Sequence, residues 1–283
     1  MRILGTILAG LLGLAFGSFL NVCLSRWPEG ESVVTPRSHC RSCGRTLAWW
    51  ENIPVLSWLA LRARCRTCQT KISWRYPLVE AAVGVLWALA AWTSHEAIFP
   101  VEFAIGTMFL MFILVGLAVL DAEFLWVPNV VTYPSIVIGL VWWFLQGEQI
   151  GLALHMPFEI RQDAKEIGMK LIAIAAAAAL ILLIRWTYWL IRRREGIGLG
   201  DAKLMAMLGA WLGLSGALLS FAIGVALGSV FALIALVLPA ARRESDTWLA
   251  AKLPLGTFLC IGGIITTLWG RPIITAYLHW AGF

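Results

Sequence analysis

One long uncharged run constrains this chain more than any other feature. From Leu204 to Ala241 the chain passes without a single charged side chain. As one helix, at ~1.5 Å per residue, this run would be almost twice as long as the ~30 Å hydrocarbon core of a bilayer. The stretch Gly213-Leu-Ser-Gly216 contains two glycines, which permit a turn, so the run predicts two membrane-crossing helices.

The rest of the sequence has the same character. Of its 283 residues 60% are hydrophobic and 13% are charged, whereas soluble domains have about 25% charged residues. The first apolar run is too long for a secretory signal, so we expect it to be retained as a helix. The sequence predicts an all-α polytopic membrane protein with about eight transmembrane helices, near residues 3–24, 77–94, 98–120, 128–146, 169–191, 202–214, 217–240 and 253–270.

Basic residues predict the orientation of these helices. The long loop from Ser25 to Arg75 holds nine Lys and Arg residues, and the loops near 192–203 and 242–252 add seven. The opposite side carries only Arg2, Arg161, Lys165, Lys170 and Arg271. By the positive-inside rule the long loop lies in the cytoplasm and both termini lie outside. The net charge of +6 then reflects topology and lipid headgroups, and we expect no nucleic-acid partner.

Four cysteines in the long loop indicate a metal site. Cys40 and Cys43 form one C-x-x-C pair, and Cys65 and Cys68 form a second. Each pair is followed at equivalent positions by an aliphatic residue and a Trp, so we expect two similar knuckles. Four thiolates would complete the tetrahedral shell of one Zn²⁺ and leave no open position for water, which makes this metal structural.

Disulfides and a thiol-redox pair are the alternatives for these cysteines. A reducing cytoplasm disfavours disulfides, and a redox C-x-x-C belongs to a βαβ unit for which this loop is too short. Because about 50 residues bury little core, bound metal would supply folding free energy. We expect a first helix at 1–24, a zinc domain at 25–76 and a membrane domain at 77–283.

Two aspartates at the ends of apolar runs are the candidate catalytic residues. Asp121 closes the uncharged run from Phe103 to Leu120, and Asp201 ends the glycine-rich stretch that begins at Glu195. Acids at such positions are costly and are functional suspects. Two carboxyl groups that share one proton could act as general base and general acid in peptide hydrolysis.

Other interpretations of these acids stay open. Either aspartate alone could be a solvated helix cap. The four histidines, His39, His95, His155 and His279, are scattered, and neither a G-x-S-x-G nor an H-E-x-x-H motif is present. An ion-coupled transporter would use the same acids as relay groups, although nearer the bilayer centre, and a non-catalytic scaffold would use the cysteine loop for docking.

Several motifs, in the order expected along the chain, resemble the type IV prepilin peptidases, aspartyl proteases of the GxGD class. The first is Gly17-Ser-Phe-Leu-Asn-Val22 in the first helix. The others are Pro36-Arg-Ser-His-Cys40, Glu51-Asn-Ile-Pro-Val-Leu-Ser-Trp58, Arg75-Tyr-Pro-Leu-Val-Glu80, Asp121 before Pro128-Asn129, Gly198-Leu-Gly-Asp201-Ala-Lys203-Leu204 and Leu253-Pro-Leu-Gly-Thr-Phe258. Many relatives have a second Asp two residues after the first, where this chain has Glu123.

This resemblance implies a specific activity. Members of the family remove the leader from type IV prepilins and type II secretion pseudopilins at the cytoplasmic face of the bacterial inner membrane. The resemblance assigns catalysis to Asp121 and Asp201, with Gly198, Gly200 and Lys203 supporting them. Members that carry the cysteine domain usually also methylate the new N-terminal amine with S-adenosylmethionine, whose binding residues the sequence does not identify. A peptidase without methyltransferase activity is the alternative.

Overall fold

A computed structural model of the protein describes residues 2–94, 100–153, 164–194, 196, 198–237 and 254–282. It divides into two compact units, Met1–Gly116 and Leu117–Phe283. Several features of the sequence lie outside the described residues: His95, His155, Glu195, the 242–252 loop and the predicted ends of the crossings near 98, 240 and 253.

The described part of the chain is helical and contains no named strand. One short helix, α2 (Leu56–Ala60), lies in the cysteine loop. The long helices are α1 (Arg2–Arg26), α3 (Arg75–Thr93), α4 (Pro100–Phe124), α5 (Asn129–Ala153), α6 (Ala164–Arg192), α7 (Leu199–Val237) and α8 (Leu255–Ala281).

All seven long helices have the length and apolar composition to cross a membrane. The longest, α7, is interrupted at Gly213, whose φ of 72° and ψ of −179° are not helical. Only glycine adopts this backbone conformation without steric cost, so the turn falls where the sequence predicts it. Counting the two parts of α7 separately gives eight segments, and the predicted fold class is confirmed.

Three helix ends lie five or more residues from the predicted positions. The α5 helix ends at Ala153, whereas an end near 146 was predicted. The α6 helix begins at Ala164, several residues before the predicted start at 169. The α8 helix passes through Pro272 and continues to Ala281, whereas a crossing to about 270 followed by an interfacial tail was predicted. Proline removes one backbone donor and bends a helix, but flanking turns can continue when the surrounding sequence favours helix.

The core of the second unit lies at the beginning of α7. Leu204, Met205, Met207 and Leu208 are fully buried there, where α7 packs against α5, α6 and α8. Large apolar side chains elsewhere on these helices are exposed, as expected for surfaces that face lipid. The protein is therefore a membrane protein, and Asp201 lies at the start of this buried segment of α7.

In the first unit, α1 packs along α3. Leu20, Leu24 and Val83 are buried in this contact, whereas Ile3, Leu8 and other side chains near the N-terminus of α1 are exposed. The buried half of α1 is thus its C-terminal half, which leads directly into the cysteine loop.

Candidate active site and candidate metal site

Asp121 lies in the last turn of α4 and is 6% exposed. Its carboxylate oxygen Oδ2 accepts a 2.7 Å hydrogen bond from the backbone N–H of Thr257, at the start of α8. The Thr257 hydroxyl lies 3.2 Å from the same oxygen and 3.0 Å from the carbonyl oxygen of Ala118, to which it can donate. The backbone N–H of Gly256 also donates to this carboxylate, so two successive residues at the start of α8 hold Asp121.

Gly256 closes the other side of the Asp121 carboxyl group. A methyl group at position 256 would lie 2.8 Å from Cγ of Asp121 and 2.9 and 3.1 Å from its two oxygens. Such separations are shorter than van der Waals contact, so only glycine allows the start of α8 to approach the carboxylate this closely.

Asp201 lies in the first turn of α7 and is 8% exposed. Its carboxylate accepts a hydrogen bond from the backbone N–H of Gly198, the residue before the helix. This arrangement resembles a capping box, in which an acid at the third helical position reaches back to the helix start. The helix dipole also favours a negative charge in the first turn.

The structure brings the two aspartates together within the second unit. They belong to different helices and lie far apart in sequence, yet a charge on Asp121 acts on the carboxyl group of Asp201. Two carboxyl groups whose charges interact in this way favour a state in which only one of them is ionised. Their catalytic role remains a prediction.

The three supporting residues lie around Asp201. A Cβ at Gly200 would lie 3.1 Å from Cβ of Val127, so α7 begins against the segment between α4 and α5. Lys203 donates a hydrogen bond to the side-chain oxygen of Asn129, and its ammonium group lies 5.8 Å from the centroid of the Tyr133 ring. These contacts hold the start of α7 against the start of α5.

The four cysteines of the loop form the second candidate site. Their sulfur atoms all lie within 4.8 Å of one another, and Sγ of Cys40 is 3.7 Å from Sγ of Cys68. A tetrahedral ion with metal–sulfur bonds of ~2.3 Å requires sulfur atoms about 3.8 Å apart. The cluster can therefore hold a metal ion, as the spacing predicts.

The second knuckle repeats the backbone pattern of the first. Cys40 N–H donates to Arg45 O at 2.9 Å, and Cys65 N–H donates to Thr70 O at 2.9 Å. In each knuckle a second bond returns to the first cysteine carbonyl, from Gly44 N–H at 2.8 Å and from Gln69 N–H at 3.0 Å. The sequence repeat is thus a structural repeat.

Local hydrogen bonds favour thiolate at one knuckle and anchor the other. The hydroxyl and backbone N–H of Thr70 lower the pKa of the Cys68 thiol to about 6. In the first knuckle, Arg45 donates to the buried Glu51 carboxylate at 2.6 Å, and this hydrogen bond lowers the pKa of Glu51. Thiolate is the form of cysteine that binds metal.

Comparison with known proteins identifies a family. Residues 11–94 match the bacterial peptidase A24 N-terminal domain, and residues 108–233 match the type IV leader peptidase family. A protein of Stutzerimonas stutzeri named prepilin leader peptidase/N-methyltransferase is 33% identical, over 96% of this chain and 93% of its own length. The chain belongs to the type IV leader peptidase family. A relative with the same name from Pseudomonas aeruginosa is 34% identical over the same shares of the two chains.

A family member from Myxococcus xanthus with that name is 37% identical over 83% of this chain, which spans 65% of the relative's length. No solved structure matches the chain significantly.

The contacts of Gly256 and Thr257 with Asp121 are not predicted from the sequence. Leu253–Phe258 resembles a motif of the type IV leader peptidase family, but the resemblance gives these two residues no role. The only signal for them in the sequence is a Gly-Thr pair shortly after Pro254, at the start of an apolar run.

Proposed function

We propose that this protein is a membrane aspartyl endopeptidase that cleaves the leader peptide from type IV prepilins and type II secretion pseudopilins. The observation that carries the proposal is the pair Asp121 and Asp201, two buried carboxyl groups at helix ends, close enough for the charge of one to act on the other. Membership of the type IV leader peptidase family and the names of the relatives indicate the substrate class.

In the proposed reaction the aspartate pair begins with one shared proton. The ionised carboxylate takes a proton from a water molecule as the water oxygen attacks the scissile carbonyl carbon. The protonated carboxyl group donates to the carbonyl oxygen and stabilises the tetrahedral intermediate. As the C–N bond breaks, the leaving amine takes a proton from the carboxyl group that had deprotonated the water. A hydroxyl of the intermediate returns a proton to the other carboxylate as the new carboxyl group forms, and the pair regains its starting state. Thr257 and Gly256 orient Asp121, while Gly198, Gly200 and Lys203 place Asp201.

A second activity is proposed for the first unit, with residues 25–76 as its main part. The relatives are named N-methyltransferases, and we propose that this chain also methylates the new N-terminal amine. S-adenosylmethionine would supply a methyl group to the unprotonated amine, the methyl–sulfur bond breaking with its electron pair left on sulfur. A cavity beside the cysteine loop with a buried, unpaired amide oxygen fits a polar ligand of this kind.

We propose Zn²⁺ as the metal at Cys40, Cys43, Cys65 and Cys68. Four thiolates with no additional donor suit zinc, and a closed shell holds the loop without taking part in either reaction. Its chemistry would be structural, since it would connect the two knuckles into one unit.

We place the protein in the bacterial inner membrane, with the cysteine loop and the aspartates on the cytoplasmic side. The loop between α1 and α3 carries the largest group of basic residues, as the positive-inside rule requires of a cytoplasmic loop. Besides prepilins and pseudopilins, the expected partner is membrane lipid, and no nucleic acid is proposed.

Mass spectrometry of a mature pilin tests both activities together. A prepilin incubated with the purified protein and S-adenosylmethionine should lose its leader and gain the mass of one CH₂ group, because a methyl replaces a hydrogen on the new N-terminal amine. Loss of the leader without the mass gain would identify a peptidase alone. An uncleaved prepilin would contradict the proposal.

A further inference from the structure

A cavity of about 530 Å³ lies in the first unit, between the C-terminal half of α1, the beginning of α3 and the cysteine loop. Small-molecule sites have ~300–1,000 Å³. Its lining is formed by side chains within one unit and includes the aromatic residues Trp58 and Tyr76. Both carboxylates of the proposed peptidase pair belong to the other unit, so the peptidase reaction does not account for this cavity.

Arg26 lines the cavity and is a buried cation that has no counter-ion among the residues that the structure describes. It is 4% exposed, and its guanidinium donates to the carbonyl oxygens of Ser32 at 2.8 Å and Pro36 at 2.7 Å. Among the described residues no carboxylate lies within ion-pair distance of it. Carbonyl oxygens satisfy hydrogen bonds but leave the charge uncompensated, and buried charges are usually paired.

Glu80, in α3, is a buried acid that also lines the cavity. It is 7% exposed, and it accepts hydrogen bonds from the backbone N–H of Val55 at 2.8 Å and from the side chain of Ser18. In the described part of the chain it has no Lys or Arg partner. The acids of the cysteine loop, by contrast, each contact an arginine, namely Glu29, Glu31 and Glu51. Of the two acids that line the cavity, Glu51 is paired with Arg45 and Glu80 has no basic partner among the described residues.

Asn21 adds an unpaired acceptor to the same wall. Its side-chain nitrogen donates to the carbonyl oxygen of Tyr76 at 2.9 Å, while its buried oxygen Oδ1 has no partner. The carbonyl of Tyr76 can only accept, so the atom facing it must be the amide nitrogen and the orientation of the amide is fixed. A buried acceptor left unpaired is destabilising, so this oxygen indicates a missing donor.

We propose that this cavity binds S-adenosylmethionine, an inference that rests on the proposed methyltransferase activity. The ligand has one carboxylate and two cationic groups, an α-ammonium and a sulfonium. Arg26 receives the carboxylate, and Glu80 and Asn21 Oδ1 face the cationic groups. Trp58 and Tyr76 offer aromatic surface for the adenine ring. The ligand would thereby supply the charges and the donor that these buried side chains lack.

Direct binding to the purified full-length protein tests the assignment without reference to turnover. In equilibrium dialysis with radiolabelled S-adenosylmethionine, we expect Glu80→Gln and Arg26→Met each to raise Kd by roughly tenfold or more, because each removes a charged hydrogen-bonding partner. Matched controls are Glu31→Gln and Arg37→Met, which make the same changes at exposed positions of this unit. These controls should bind as the wild type does.

A second ligand separates loss of the Arg26 contact from loss of the fold. Decarboxylated S-adenosylmethionine lacks the group assigned to Arg26, so wild-type protein should bind it roughly tenfold more weakly than the intact compound. In Arg26→Met this preference should disappear, and Glu80→Gln should retain it. A protein that had merely lost its structure would bind neither compound.

Two outcomes overturn the inference, and they are distinguishable. If the wild type binds S-adenosylmethionine but Glu80→Gln and Arg26→Met bind equally well, or Arg26→Met keeps the preference, the cavity assignment is wrong while the methyltransferase activity stands. If the wild type cleaves prepilin yet neither binds S-adenosylmethionine nor methylates the product, the methyltransferase proposal itself fails, and the inference fails with it.

Discussion

The cysteine loop and the aspartate pair are assembled in opposite ways. All four cysteines lie within one short loop, and each knuckle is closed by hydrogen bonds between residues a few positions apart. The aspartates come from α4 and α7, and Thr257, which fixes Asp121, comes from a third helix, α8. The first site depends on local turns and, as proposed, on zinc, whereas the second depends on helix packing. Perturbations of one should therefore leave the other largely intact.

Replacing either aspartate should lower the rate of prepilin cleavage more than any other change and should leave the cysteine loop unaffected. Asn keeps the shape of Asp but cannot exchange the shared proton, so Asp121→Asn or Asp201→Asn should lower prepilin cleavage by roughly 10³-fold or more. Cleavage of a purified prepilin by the purified variant measures this loss. Metal content at the cysteine loop should stay at the wild-type level.

The control for this prediction is the neighbouring acid. Glu123 is exposed and lies two residues after Asp121, so Glu123→Gln removes a charge at the same helix end while both carboxyl groups of the pair are kept. It should cleave at close to the wild-type rate. If either Asp→Asn variant cleaves prepilin at the wild-type rate, the aspartyl mechanism is wrong, and so is the function assigned to the pair.

Removal of one cysteine should perturb the cysteine loop and leave the aspartate pair largely intact. Cys65→Ala leaves three thiolates, and because metal binding contributes much of the folding free energy of so small a loop, we expect stoichiometric zinc to be lost and the loop to become sensitive to protease. Metal analysis and limited proteolysis measure the two effects. Prepilin cleavage should fall by less than roughly tenfold, since no cysteine of the loop takes part in the proposed proton transfers.

Cys23→Ala is the matched control for that experiment. Cys23 is also a buried cysteine of the first unit, but it lies in α1 and outside the metal cluster. It should keep a full equivalent of zinc. A zinc-free wild-type protein whose four loop thiols all react with an alkylating reagent would contradict the zinc proposal.

Gly256→Ala should break the aspartate site through packing alone. The new methyl group would lie 2.8 Å from the Asp121 carboxyl carbon, and displacing a catalytic group by ~1 Å can cost roughly 10² in rate. Gly168→Ala is the control, because nothing lies within 4 Å of the added atom there. A cleavage assay should show the loss only for Gly256→Ala, and equal rates would mean that α8 does not constrain Asp121.

The sequence predicts the site assembled within one loop more completely than the site assembled from three helices. The spacing of Cys40, Cys43, Cys65 and Cys68 contains nearly all the geometry of a metal site, since ligands on short turns have little freedom. The aspartates could be singled out because acids are rare at the ends of apolar runs. Gly256 and Thr257 could not, because their role arises only when α8 packs beside the end of α4.

The same limit applies to the fold. Apolar runs and the glycines near Gly213 predict the number of segments, since length and backbone freedom are properties of the local sequence. The continuation of α8 through Pro272 depends on whether neighbouring turns tolerate a missing donor, which a local pattern does not specify. Likewise the unpaired charges of Arg26 and Glu80 become visible only once their surroundings are known.

Thr257→Val should have a smaller effect than Gly256→Ala. It removes the hydroxyl near Asp121 Oδ2 but keeps the backbone N–H that donates to the same oxygen at 2.7 Å. One hydrogen bond is worth ~1 kcal/mol, so cleavage should slow about fivefold, and Thr257→Ser should restore it. In the control Thr267→Val, the lost hydroxyl bonds only a carbonyl of its own helix, and the rate should not change.

The smallest predicted effect lies within the repeat of the two knuckles. In each knuckle the residue directly after the second cysteine has a left-handed backbone conformation. This residue is Gly44 in the first knuckle, at φ 70°, and Gln69 in the second, at φ 59°. A side chain in this conformation costs ~1–2 kcal/mol relative to glycine. Nothing lies within 4 Å of a Cβ added at Gly44, so Gly44→Ala tests backbone strain without a clash.

These two substitutions should move loop stability in opposite directions. Gln69→Gly relieves strain, although glycine also loses more backbone entropy on folding, so we expect a gain of about 0.5–1 kcal/mol. Gly44→Ala should cost about 1 kcal/mol. The rate of zinc loss to a chelator measures both changes in stability. It should be faster than in the wild type for Gly44→Ala and slower for Gln69→Gly. If Gln69→Gly loses zinc faster than the wild type, the side chain of Gln69, which donates to the carbonyl of Arg66, contributes more than the strain costs.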